Sequence, residues 1–97
     1  MKPDKVANAV REAFDKGRYE ATRHFWYELR ADGFMLTDLH SAFDAITTVV
    51  EMGEDYIGNP KFEVTGSATD GRTISVVCSF KETGVVLLIT VYEGTRP

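Results

Sequence analysis

The sequence is short of cysteine and of long apolar runs, and each shortage excludes a class of protein. A single cysteine, Cys78, cannot form an internal disulfide, which favours a reducing compartment over a secreted scaffold. The longest apolar run, Val85–Ile89, falls far below the ~20 residues that a membrane-spanning helix needs. The N-terminus has no apolar segment typical of a secretory signal. We therefore expect a cytoplasmic protein with no membrane association.

Positive charge is also scarce, with 11 Lys and Arg against 15 Asp and Glu and a formal net charge of −4. No Lys or Arg lies between Arg30 and Lys61. The acidic residues of that stretch are Asp32, Asp38, Asp44, Glu51, Glu54 and Asp55. RNA-binding proteins usually present a basic surface, because neutralised phosphates supply much of the affinity. The acidic stretch is either an ordinary solvated surface or a flank that docks a basic partner.

Motifs for metals, phosphates and nucleophilic catalysis are missing. Two histidines, His24 and His40, and one cysteine are too few and too badly spaced for a metal site. The glycines fall at turns, with no phosphate-binding loop, and no serine lies in a nucleophile elbow. We predict no metal and no cofactor, with His40 at the surface and Cys78 in the core.

Apolar periodicity predicts helices in the first half of the chain. The first helix carries an apolar stripe at i, i+3, i+4 spacing and ends at Gly17. A short extended connection, Arg18–Ala21, leads to a second helix that is capped by Thr22 and runs to about Ala31. A third helix is capped by Thr37.

The residue pattern in the second half of the chain predicts strands. The third helix frays at Thr47–Val50, a run that also suits a strand, and Glu51–Pro60 has the breakers of a loop. Beyond Pro60 apolar and polar residues alternate, with turns at Ala68–Gly71 and Lys81–Gly84. The last strand, Val85–Tyr92, is apolar on both faces, which is typical of a central strand.

Together these elements predict a single α+β domain over residues 1–97. Two or three N-terminal helices would pack on one face of a three- to four-stranded antiparallel sheet. The helices would cover the sheet face of Ile74, Val76 and Phe80. The opposite face would stay open to a partner or ligand and would carry Thr73, Ser75 and Ser79.

The polar face of the second helix is the first candidate site. Arg23, Tyr27 and Arg30 form a stripe opposite the apolar side, and His24 and Glu28 lie beside it one turn apart. Arginines bind phosphate through paired hydrogen bonds, and a histidine can move a proton near neutral pH. Arg23 and Arg30 are therefore candidate anion-binding residues. The alternative is the ordinary polar face of an amphipathic helix.

A family resemblance singles out some of these residues. Its motifs are Thr22-x-His24, Gly33-Phe34, Asp38-Leu39, Asp70-Gly71-Arg72-x-Ile74-x-Val76 and Thr90-x-Tyr92. In order and spacing they resemble the bacterial domain-of-unknown-function family numbered 4258, a distant relative of RelE-type toxins. The resemblance covers residues 19–93, and the additional N-terminal helix within residues 1–17 lies outside it. The family helix tends to carry arginine at the positions of Glu28 and Asp32.

The resemblance implies a RelE-like fold and a toxin that acts as a metal-independent endoribonuclease or translation inhibitor. It also implies an antitoxin-like protein partner and RNA as a target. Such a ribonuclease needs an acid, a base and a cation on the phosphate, so His24 or Tyr92 would serve as acid or base and Arg72 as the cation. The alternative is a non-catalytic interaction domain, an inactive toxin relative, that docks a partner through its acidic segment Asp32–Asp55.

Overall fold

Three helices and five strands make up the fold of residues 2–94, which the computed structural model describes. The elements are α1 (Pro3–Asp15), β1 (Tyr19–Ala21), α2 (Arg23–Ala31), α3 (Leu36–Asp44), β2 (Thr48–Glu54), β3 (Pro60–Ser67), β4 (Thr73–Phe80) and β5 (Val86–Glu93). The strands form one sheet in the order β1-β5-β4-β3-β2. Strand β1 runs parallel to β5, and every other neighbouring pair is antiparallel. No helix in residues 2–94 has the length and apolar character to cross a membrane.

The core lies between the helices and one face of the sheet, as the alternation in β4 predicts. Ile74, Val76 and Cys78 are fully buried in it. Val6 and Val10 of α1, Phe25 of α2 and Leu39 and Phe43 of α3 pack into the same core. Burial raises the pKa of the Cys78 thiol to about 12. Cys78 therefore behaves as a small apolar core residue.

Helix α2 begins and ends where its local sequence predicts. Thr22 is the N-cap, and its Oγ1 accepts a hydrogen bond of 3.0 Å from the backbone N–H of Phe25. Phe25 and Leu29 are buried, and Trp26 packs against the core from a half-buried position. The chain leaves the helix at Gly33, whose φ of +74° is one that glycine adopts without strain.

The predicted third helix is wrong at both ends. Helix α3 has Met35 rather than Thr37 as its N-cap, because the Asp38 carboxylate accepts the Met35 N–H at 2.8 Å. The same carboxylate accepts the backbone N–H and the hydroxyl of Thr69, so it ties the start of α3 to the turn between β3 and β4. The helix ends at Asp44, well before the predicted fraying at residues 47–50.

The sheet has more strands than the predicted three or four, and it is mixed rather than antiparallel. Thr47 leads into β2 by donating its N–H and its hydroxyl to the Thr65 carbonyl. The predicted loop at Glu51–Pro60 therefore begins only after Glu54, the last residue of β2. The predicted connection Arg18–Ala21 contains β1, which the parallel edge of β5 stabilises. Strand β1 forms by pairing with a distant segment, whereas β2 pairs with β3, the next strand along the chain.

Within residues 2–94 no helix covers the opposite face of the sheet, in agreement with the expected open face. Two of the side chains expected to be exposed there are nevertheless buried, because neighbouring backbone and loop residues cover them. The Ser75 hydroxyl donates to the Gly94 carbonyl at 2.6 Å and lies 3.1 Å from Thr65 Oγ1. Ser79 is also fully buried. We call this side the helix-free face.

Candidate functional site

His24 lies near the start of α2 with an exposed imidazole. Its Nε2 is 3.2 Å from Oε1 of Glu28, one turn further along the helix. That carboxylate also accepts the hydroxyl of Thr90 and, at 3.3 Å, the backbone N–H of Val91, both in β5. The polar face of α2 therefore holds an imidazole against a carboxylate that the sheet fixes in place. This pair can orient the imidazole for proton transfer.

Glu28 and Asp32 attach α2 to the edge of β5. Strand β1 pairs with β5 only up to Leu88, so the backbone N–H groups that follow on this edge need other acceptors. Glu28 accepts the N–H of Val91, and Asp32 Oδ2 accepts the N–H of Glu93 at 3.1 Å. Glu28 and Asp32 are one helical turn apart, and this distance matches the separation of Val91 and Glu93 along the strand. Glu28 and Asp32 therefore both have a structural role in this fold.

Arg72 secures the other end of α2. Its guanidinium donates to Asp70 Oδ2 at 2.7 Å, to the Asp32 carbonyl at 2.8 Å, to Glu93 Oε1 at 2.9 Å and to the Gly33 carbonyl at 3.2 Å. It also lies 4.2 Å above the ring of Phe34. The hydrogen bonds to Glu93 and Asp70 raise the pKa of Arg72. The backbone carbonyls after a helix need donors, and this side chain supplies them.

The structure does not gather His24, Arg72 and Tyr92 at one point. His24 is near the start of α2, and Arg72 binds the Asp32 carbonyl at its end, about 12 Å further along at 1.5 Å per residue. Tyr92 pairs across the sheet with Ser75, on the helix-free face. Arg23 and Arg30, the candidate anion-binding residues, are exposed on α2 and form no ion pair with any of residues 2–94.

The helix-free face contains a groove of about 670 Å³. Its apolar lining comes from Val77 of β4, from Leu87 and Ile89 of β5, and from Met52, Tyr56 and Ile57 in or near the loop between β2 and β3. The remaining lining residues are Glu20, Thr22, Asp55, Lys61, Lys81 and Thr90. The volume lies within the roughly 300–1,000 Å³ of typical small-molecule sites. We call this the sheet groove.

The loop that forms one wall of the sheet groove is held by Asp55. Its carboxylate accepts the backbone N–H groups of Ile57 and Asn59 at 3.0 and 2.8 Å, and the side-chain amide of Asn59 at 3.2 Å. Burial alone would raise the pKa of Asp55, but the hydrogen bonds from Asn59 and Ile57 hold it below its usual value. The wall is therefore a fixed part of the fold, although Tyr56 and Ile57 at its tip are exposed.

The acidic segment Asp32–Asp55 does not form one continuous surface. Three of its carboxylates, those of Asp32, Asp38 and Asp55, accept hydrogen bonds from backbone N–H groups within the domain. The remaining acids, Asp44, Glu51 and Glu54, are exposed on α3 and β2. Within residues 2–94 no three His, Cys, Asp or Glu side chains come together as a metal site.

The sequence contains one signal for the sheet groove. The last strand is apolar on both faces, and in the structure β5 is indeed flanked by β1 and β4. Val86, Leu88 and Val91 are buried in the core, whereas Leu87 and Ile89 are half-buried in the groove. The second apolar face of β5 therefore forms part of a cavity and not of a second packed layer.

Comparison with protein-family models, with curated proteins and with solved structures finds no significant match to this chain. The RelE-like fold and the toxin family therefore stay predictions from the sequence.

Proposed function

We propose that this chain is a non-catalytic binding domain that takes a small, largely apolar molecule in the sheet groove. The observation that carries the proposal is the apolar floor formed by Val77, Leu87 and Ile89 on a sheet face without helices. Apolar surface that stays exposed to water costs roughly 25 cal/mol of free energy for each Å². A ligand that covers this floor removes that cost, so it can bind with few polar contacts.

The positions of the polar residues support binding over catalysis. A metal-independent ribonuclease needs its acid, its base and its cation at one phosphate group. The Arg72 guanidinium is held by Asp70, Glu93 and two carbonyls at the end of α2, away from His24. Tyr92 belongs to the helix-free face. The fold gives each of the three residues a separate environment.

A neutral fluorescent probe tests the proposed binding. N-phenyl-1-naphthylamine brightens in apolar surroundings, so we expect a saturable, one-to-one rise in its fluorescence with the wild-type chain. Leu87→Ser removes apolar area from the groove floor and should weaken binding by about tenfold. Val50→Ser is the matched control, because Val50 is an exposed apolar residue that does not line the groove. Absence of saturable binding, or an equal loss in both variants, would contradict the proposal.

The His24–Glu28 contact favours a second candidate, the ribonuclease that the family resemblance implies. An imidazole held 3.2 Å from a carboxylate is a common arrangement for a general base. The test incubates the purified chain and His24→Ala with single-stranded RNA and follows cleavage. Cleavage that disappears in His24→Ala, at unchanged thermal stability, would favour this candidate. A wild-type chain that leaves RNA intact favours the binding domain.

A further inference from the structure

The charged side chains of the sheet groove are not equivalent. Lys81 Nζ is 2.6 Å from Glu20 Oε2, so these two residues neutralise each other. Asp55 is occupied by the loop residues that it anchors. Lys61 is half-buried and has no ion pair with any of residues 2–94. The groove therefore combines an apolar lining with one ammonium that is available to a ligand.

The position of Lys61 places that ammonium at the groove. Lys61 pairs across the sheet with Ser79, so its side chain starts from the helix-free face beside Val77, the next groove residue of β4. A lysine stem commonly lies along apolar surface with its ammonium in water, which is the ordinary alternative for such a residue. An anion bound in the groove would instead meet the ammonium where part of the water is already displaced, and a charged hydrogen bond is stronger there.

We infer that the sheet groove binds a small amphipathic carboxylic acid. Its apolar body covers Val77, Leu87 and Ile89, and its carboxylate accepts a hydrogen bond from Lys61 Nζ. A singly charged head group fits a single ammonium, whereas a phosphate dianion would add uncompensated charge to a chain whose net charge is −4. Arg23 and Arg30, the exposed arginines of α2, do not line the groove. This inference names the ligand class and rests on the proposed function.

Calorimetric titration with straight-chain carboxylates and primary alcohols of matched length tests the inference. We expect each carboxylate to bind at least about tenfold more tightly than its alcohol, because only the carboxylate pairs with the ammonium. Affinity should rise roughly fourfold with each added methylene until the groove is full. Lys61→Gln should remove the preference for the acid, measured as the ratio of acid affinity to alcohol affinity on the same variant. Lys5→Gln, at an exposed lysine of α1, is the control and should retain the preference.

The outcomes separate this inference from the proposed function. If neither the acids nor the alcohols bind, the proposed function fails. If acids and alcohols bind equally well, the groove binds apolar molecules and only the carboxylate inference is overturned. A preference for acids that survives in Lys61→Gln overturns it as well. If Lys61→Gln does not fold, Lys61→Met, which keeps the apolar stem of the side chain, repeats the test. The comparison of acids with alcohols on the wild-type chain needs no variant.

Discussion

Gly66 is the position at which one added methyl group should damage the fold most. A Cβ built on Gly66 would lie 2.3 Å from the carbonyl oxygen of Ala42 and 2.8 Å from its carbonyl carbon and Cα. Ordinary contact begins at 3.4 Å, so α3 and β3 would have to separate by about 1 Å. The clashing atoms are backbone atoms of a helix, which cannot rotate away as a side chain can. Gly66→Ala therefore strains the packing of α3 on the sheet.

The expected loss of stability follows from two opposing effects. Overpacking a core contact typically costs 1–3 kcal/mol or more, whereas replacing glycine in a strand recovers roughly 0.5–1 kcal/mol of backbone entropy. We expect Gly66→Ala to lower the free energy of unfolding by about 2 kcal/mol. For a domain of this size that corresponds to a fall in Tm of roughly 8–16 °C. Thermal unfolding followed by circular dichroism, with urea unfolding for the free energy, measures both quantities.

Ser67→Ala is the matched control for Gly66→Ala. Ser67 is the next residue of β3 and is exposed, so loss of its hydroxyl should change the free energy of unfolding by less than about 0.5 kcal/mol. Gly66→Ser adds a larger side chain at the same place and should cost at least as much as Gly66→Ala. If the Tm of Gly66→Ala lay within 2–3 °C of the wild type, which corresponds to roughly 0.5 kcal/mol in the free energy of unfolding, the close backbone contact would be refuted.

The remaining predictions concern the side chains of Asp38, Cys78 and Arg72. Asp38→Ala should cost about 2–3 kcal/mol in urea unfolding, since the carboxylate accepts charged hydrogen bonds that cap α3 and tie it to the β3–β4 turn. The Thr69 hydrogen bond lowers the pKa of Asp38 below 3.8, so its stabilisation is present above that pH and should vanish in unfolding experiments as the pH falls through the lowered pKa. Cys78, whose pKa is about 12, should resist an aromatic disulfide reagent at pH 8 until the chain unfolds. Arg72→Met should lower the Tm more than Arg23→Met, because only Arg72 binds the end of α2.

Each of these predictions has an outcome that contradicts it. Asp44→Ala, at an exposed acid of α3, is the control for Asp38→Ala, and equal stability losses would show that Asp38 has no special role. If the acid-dependent loss of stability in Asp38→Ala matches that of the wild type, another carboxylate causes it. Labelling of native Cys78 at the rate of a free thiol would disprove its burial. Equal melting temperatures for the two arginine variants would count against a structural Arg72.

Elements with local signals are predictable from the sequence. Helix α2 has a hydroxyl at its N-cap and a glycine after its end, and both signals are next to the helix in the sequence. Strand β4 alternates between apolar and polar residues except at Val77, so its core face could be predicted from Ile74, Val76 and Phe80. In each case the residues that determine the element lie within it or next to its ends.

Strand β1 and the sheet groove could not be predicted from the sequence, because both depend on residues that are distant along the chain. Strand β1 has three residues, and β5 pairs with it from 67 positions further along the chain (Tyr19 with Val86). Nothing in the sequence near Glu28 and Asp32 reveals that these two residues bind β5. The sheet groove requires the β2–β3 loop to stand beside β5. Periodicity along one strand cannot predict that arrangement.

The carboxylates of α2 have a consequence for how the molecule behaves in a crowded solution. A strand edge with free N–H groups can template the addition of another chain, which is a route to aggregation. Glu28 and Asp32 occupy such groups on β5 beyond the short strand β1. At the other end of the sheet, β2 carries Glu51 and Glu54 and an irregular register between them, which makes a flat pairing with another strand unfavourable. The sheet is therefore limited in width at both ends, and the acids that make the chain anionic also oppose its growth into fibres.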